Sequence, residues 1–136
     1  MTAEDMYQEV IMDYYRNPVN FGSIEKAEIK ARDVNPSCGD VIEMHLKAKN
    51  GKVEDVKFSG KGCAISIAAA SMLTEEIKGK SLQEIRNIDK QKVFEMLGIK
   101  LSMMRVKCAL LGLKVLKVGV YEYLGDKYSD EELAEK

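Results

Sequence analysis

Ile42-Glu43-Met44-His45-Leu46-Lys47-Ala48-Lys49 alternates apolar and polar side chains without a break, then runs into Asn50-Gly51. A period of two marks a half-buried strand, and Asn-Gly is the strongest short hairpin signal because both residues accept positive φ. Upstream, Ala27, Ile29 and Ala31 alternate with Glu28, Lys30 and Arg32. Downstream, Val56 and Phe58 carry a third strand, and Val53 is out of phase with them, as a β-bulge would produce. Three consecutive strands with one apolar face predict an antiparallel meander that helices must cover. His45, the only histidine, falls with the charged side chains and is expected to be a solvated surface residue rather than a ligand.

Both flanks supply helices. Residues 2–16 place Met6, Tyr7, Val10, Ile11 and Tyr14 on one face, behind a Thr2/Asp5 capping box, and Asn17-Pro18 ends the run. Tyr7, Tyr14 and Tyr15 are expected to dock on the core or a partner. After the sheet, Ala64 to Lys78 carries an apolar stripe that stops at Gly79, and small residues from Ala68 to Ser71 allow close approach to the sheet. Ser81 with Glu84 caps a short helix, and Asp89 caps another that ends at Gly98. A last long helix is expected to start near Cys108, with Val106, Leu110, Leu113, Leu116 and Val120 inward and Lys107, Lys114 and Lys117 as a polar stripe. The fold class is therefore α+β: a three-stranded antiparallel sheet with an N-terminal helix and several C-terminal helices packed on it. Residues 1–136 read as one domain, with 125–136 as a charged, frayed tail.

A chain of 136 residues buries roughly 68–70% of its unfolded surface and needs no disulfide or structural metal to hold a core. Lys plus Arg (21) nearly cancel Asp plus Glu (22), so nothing attracts the chain generally to nucleic acid or an anionic membrane. The absence of an apolar leader or span, together with an odd cysteine count, predicts a cytoplasmic protein rather than a disulfide framework.

That frees three cysteines for chemistry. Cys38 lies in Asn35-Pro36-Ser37-Cys38-Gly39-Asp40, Cys63 follows Gly60-Lys61-Gly62 at the mouth of a helix, and Cys108 follows Arg105-Val106-Lys107. Helix starts and neighbouring cations favour a thiolate, so all three are expected to be loop-borne and ionisable. Three thiolates plus the Asp40 carboxylate satisfy a tetrahedral zinc ion or, shared between two irons, a small iron–sulfur cluster. Three unrelated cysteines remain the plain alternative. One hard oxygen ligand on a sulfide-rich centre suits a cluster that must leave. Gly60-Lys61-Gly62 lacks the rest of a phosphate loop, no Ser-His-Asp set can be composed, and Met103-Met104 are expected to fill the core.

Several segments carry a family resemblance. Tyr7 to Asp13, Tyr15-Arg16-Asn17-Pro18-Val19-Asn20, the Cys38-Gly39-Asp40 turn, Gly62-Cys63-Ala64-Ile65-Ser66, Gly79-Lys80-Ser81-Leu82 and Lys107-Cys108-Ala109 occur in the order found in NifU/IscU-type iron–sulfur cluster assembly scaffolds. The resemblance runs from about Tyr7 to Tyr123. It implies a platform, not a turnover enzyme. A 2Fe–2S cluster would form from iron and sulfur on Cys38, Cys63 and Cys108, with Asp40 tuning or ligating, and zinc would enter the apo site readily. It further implies a cysteine desulfurase (IscS/NifS-like) that delivers persulfide to Cys108, an electron donor such as a ferredoxin, and apo iron–sulfur proteins as acceptors. Two departures stand out. Lys107 occupies a position where many IscU-type members have histidine; it cannot ligate, but its charge can hold the Cys108 thiolate or persulfide. Lys-Cys-Ala resembles the SufU branch, the zinc-dependent sulfurtransferases, whereas the short Cys63–Cys108 spacing favours the scaffold. Leu101-Ser102-Met103-Met104-Arg105 replaces a proline-containing chaperone segment, which argues against an Hsp70-type partner.

Overall fold

The computed structural model describes residues 2–128. Thr2 caps helix α1 (Ala3–Arg16) with its hydroxyl on the Asp5 N–H, and the Asp5 carboxylate reaches back to the Thr2 N–H. The sheet follows in chain order as β1 (Ile29–Asn35), β2 (Asp40–Lys49) and β3 (Lys52–Lys61), all antiparallel. Ile42, Met44, Leu46, Val56 and Phe58 lie fully buried on one face, as the alternation predicts. The register shifts at Lys47/Ala48, so Ala48 pairs with Val53 although Lys47 pairs with Asp55. That bulge returns Val53 to the core.

Four helices complete the described residues: α2 (Ala64–Ile77), α3 (Leu82–Arg86), α4 (Lys90–Leu97) and α5 (Met103–Tyr123). Ser81 forms the full capping box of α3, Asp89 caps α4, and Gly98 ends α4 in the left-handed region. Helix α2 is buried nearly all round, because it lies between the sheet, α1 and α5. A Cβ on Gly112 would sit 3.3 Å from Ala70 and 3.5 Å from the Met44 methyl. Small residues on both helices thus let α5 and α2 close over the centre of the sheet.

Three expectations are corrected. His45 is 7% exposed, not solvated. The link between α1 and β1 reaches Phe58 through Phe21, then covers the outer face of β2, where the Ile24 N–H donates to His45 Nδ1 at 3.0 Å. Nε2 of the same ring meets Glu43 at 2.6 Å. Lys117 is not on a polar stripe; it is 4% exposed, and its Nζ donates to the Arg86 carbonyl at 3.1 Å. Residues 125–128, expected to fray, are held: Asp126 pairs with Arg86 at 2.9 Å and Tyr128 stacks edge-on against Tyr121. The rest of that segment, 129–136, lies outside the described residues. Among the tyrosines of α1, one takes the expected place on the core. Tyr14 packs on the core and bonds Glu75, Tyr7 lies over Gly98, and Tyr15 is exposed.

Candidate metal centre

One end of the sheet carries the hairpin of Asn50-Gly51; the opposite end collects the cysteines. Asn35 and Asp40 form the last β1–β2 pair, so the Pro36–Gly39 turn projects beyond the sheet with Cys38 exposed at its tip. The turn is closed by the Asn35 carbonyl, which accepts from the N–H groups of Cys38 (3.3 Å) and Gly39 (2.8 Å). Beside it, β3 ends at Lys61, and after Gly62 the chain enters α2 with Cys63 as N-cap. Gly62 is required here: a Cβ would lie 2.2 Å from Ser66 Oγ and 3.0 Å from the Asp40 carboxylate. Helix α5 brings the third thiol across.

Cys108 departs from expectation. Ser102 caps α5 by accepting from the Arg105 N–H, so the helix starts at Met103 and Cys108 lies in its second turn. It is 4% exposed rather than loop-borne. Burial pushes its thiol well above the ordinary range, and hydrogen bonds with Cys38 and Asp40 push the same way. Met103 and Met104 do not fill the core. They are 89% and 68% exposed and line the cleft over the cysteines with Arg105 and Lys107. That cleft, about 770 Å³, is bounded by Cys38, Cys63 and Cys108. Lys107 is exposed at its rim.

Within this end the acidic groups meet one another. Cys38 Sγ and Cys108 Sγ are 3.4 Å apart, and both, with a carboxylate oxygen of Asp40, lie within 4.8 Å of each other. Cys63 joins through Asp40: its N–H donates to Oδ1 at 3.2 Å and its Sγ lies 3.8 Å from Oδ2. Asp40 is 3% exposed. Burial alone would raise its pKa, but the Cys38 and Cys108 thiols, the Cys63 N–H and the nearby Ser66 hydroxyl together hold it below the ordinary carboxylate value.

The donor set fits a cation. Two thiolates each about 2.3 Å from a tetrahedral ion stand about 3.8 Å apart, and a thiolate and a carboxylate oxygen about 3.6 Å. The 3.4 Å and 3.8 Å separations here lie close to both. Without a cation the Cys108 thiol resists ionisation, because it is buried beside Cys38 and Asp40. Two like charges at about 4 Å repel by about 4 kcal/mol at an effective dielectric of about 20. A soft divalent ion reverses that sign, and the thiol protons leave as it enters.

Of the residues singled out in sequence, Cys38, Asp40, Cys63 and Cys108 converge and Lys107 stands at the rim. Two contributors were missed. Asn35 is buried with its amide nitrogen 4.0 Å from Cys108 Sγ, and Ser66 is buried beside Cys63 and donates to its carbonyl at 3.0 Å. Their signals were the Asn-Pro turn start and the position one helical turn after a cysteine.

The sequence pattern of the NifU-like N-terminal domain matches residues 6–130. An iron–sulfur cluster assembly scaffold protein IscU of Archaeoglobus fulgidus is 37% identical over 118 residues, covering 87% of this chain and 76% of that one. The zinc-dependent sulfurtransferase SufU of Bacillus subtilis is 36% identical, covering 86% and 90%. Among solved structures, a candidate iron–sulfur cluster assembly scaffold for the SUF system of Fervidobacterium islandicum superposes with a TM-score of 0.75 at 32% identity, covering 88% and 99%. With three cysteines lining one cleft at the sheet end and a matching pattern over nearly its whole length, the chain belongs to the NifU-like N-terminal domain family.

Proposed function

We propose that this protein is a scaffold on which a 2Fe–2S cluster is built from iron and desulfurase-derived sulfur and then passed to apo-proteins. The observation that carries the reading is the convergence of Cys38, Cys108 and Asp40, with Cys63 on the carboxylate, at an open cleft. A structural metal site would be closed; this one is reached from solvent beside an exposed cysteine. In this reading Cys38, Cys63 and Cys108 hold the cargo, and Asp40 is the displaceable hard ligand. Sulfur arrives as the persulfide of a cysteine desulfurase. The Cys108 sulfur attacks the terminal sulfur as its thiol gives up its proton, the new S–S bond forms on Cys108, and the donor leaves as a thiolate that takes up that proton. Reducing that sulfur to sulfide takes two electrons, which two equivalents of a one-electron carrier such as a ferredoxin supply. Lys107 at the rim favours incoming anionic sulfur. The work is assigned to the cytoplasm; among the described residues no helix is long and apolar enough to cross a membrane.

A second reading, a zinc-bound sulfurtransferase, is favoured by Lys107 and by the SufU relative. Anaerobic incubation with iron, cysteine and a cysteine desulfurase separates the two. The scaffold predicts iron and acid-labile sulfide in equal amounts, with visible absorption that moves to an apo-ferredoxin. Bound zinc, no cluster and an accelerated desulfurase would replace it with the sulfurtransferase.

A further inference from the structure

The geometry assigns Asn35 as a positioning residue for Cys108, one that donates a hydrogen bond to its sulfur when that sulfur binds metal. The inference rests on the metal-binding reading above. Asn35 is buried at the end of β1, and its side-chain oxygen accepts from the Ser37 N–H at 3.2 Å. That contact fixes which way the amide points. A flipped amide would set its NH₂ against the Ser37 N–H, two donors face to face, so the nitrogen must be the atom that faces Cys108 Sγ, 4.0 Å away.

One residue thereby holds the Cys38 backbone and faces the Cys108 sulfur, the two residues whose thiols approach within 3.4 Å of each other. Its backbone carbonyl and side-chain oxygen shape the turn carrying Cys38, and its nitrogen serves Cys108 from the far strand. Cys108 is the most buried of the three cysteines and the one with least water to stabilise negative charge. A donor at its sulfur withdraws electron density from the thiolate. Outer partners of this kind orient a ligand and tune its bond to the metal. Neither aspartate nor serine combines the two roles: aspartate has the acceptor without the donor, and serine keeps the turn but is too short to reach the sulfur.

The test uses the full chain, stripped of metal and titrated anaerobically with cobalt(II), comparing wild type with Asn35→Ser and, as an isosteric second variant, Asn35→Asp. Wild type should show a thiolate-to-cobalt charge-transfer band. Loss of the donor raises the energy of the sulfur lone pairs, so in both variants the band should move to longer wavelength, with affinity falling about 10–100-fold. Circular dichroism reports whether each variant is folded; should Asn35→Ser lose the turn, Asn35→Asp decides. A folded variant with lower affinity and an unmoved band would give Asn35 a role in turn geometry only and overturn the inference. Wild type without a thiolate band would instead overturn the metal-binding reading beneath it.

Discussion

Two polar clusters of this molecule are built from opposite materials. Where α3 and α5 meet, Arg86 pairs with Asp126 at 2.9 Å and stacks 4.7 Å above the Tyr121 ring, while Lys117 donates to the Arg86 carbonyl. Each cation there has a carboxylate, a ring face or a carbonyl. At the sheet end, Cys38, Cys63, Cys108 and Asp40 are all acids, and their hydrogen bonds run to one another. The first cluster is complete in itself and belongs to stability. The second is built of acids alone, and in the proposed reading a cation completes it.

Cuts made in one cluster should leave the property of the other untouched. The largest effect is expected from Cys108→Ser. Outer partners of a metal ligand are worth about 10–100-fold in affinity, so loss of the ligand itself should exceed that upper end, measured by zinc competition with a chromophoric chelator. The melting temperature of the metal-free protein should change little. Gly62→Ala forces a methyl onto Ser66 and Asp40, and should lower zinc affinity about 10-fold in the same assay, since it disturbs what holds the ligands rather than a ligand. Arg86→Ala should do the reverse. An ion pair and a cation–π contact at a partly exposed site together amount to about 1–2 kcal/mol in urea unfolding, with zinc affinity unchanged.

Tyr14→Phe is the smallest cut. The Tyr14 hydroxyl donates to Glu75 and ties α1 to α2, and that bond pushes the Tyr14 pKa up to about 12. A pKa raised by folding means the stabilisation is present below the unfolded value of about 10 and is lost as pH rises through about 12. Wild type and variant should differ by about 1 kcal/mol at neutral pH, converging above that window.

Local patterns carried the fold because local chemistry decides it. Alternation in 42–48 fixed the buried face of β2, Asn50-Gly51 fixed the hairpin, and Ser81, Asp89 and Gly98 fixed helix ends by satisfying backbone groups. The misses are tertiary. His45 has the sequence context of an outer-face residue and is buried only because a segment some 20 positions away crosses over it. Lys117 is buried because α3 presents a carbonyl to it. The start of α5 was misplaced because Ser102 caps it without an acidic residue three positions on, where Arg105 stands. That five-residue error hid the burial of Cys108, which pushes its thiol pKa up where a loop-borne thiolate was expected. The cysteines and Asp40 themselves were legible from residue type and turn context. The turn start marks Asn35, but nothing in the sequence aims its amide at a thiol 73 residues away.

The most direct measurement is the far-ultraviolet circular dichroism and thermal melt of the metal-free protein, beside the same sample loaded with zinc. If the fold stands on its core while the cysteine end serves only cargo, the stripped chain keeps its helix content and melts cooperatively. Zinc then raises the melting temperature only by mass action. Loss of helix on stripping, restored by zinc, would make the cysteine end a structural metal site and contradict the account.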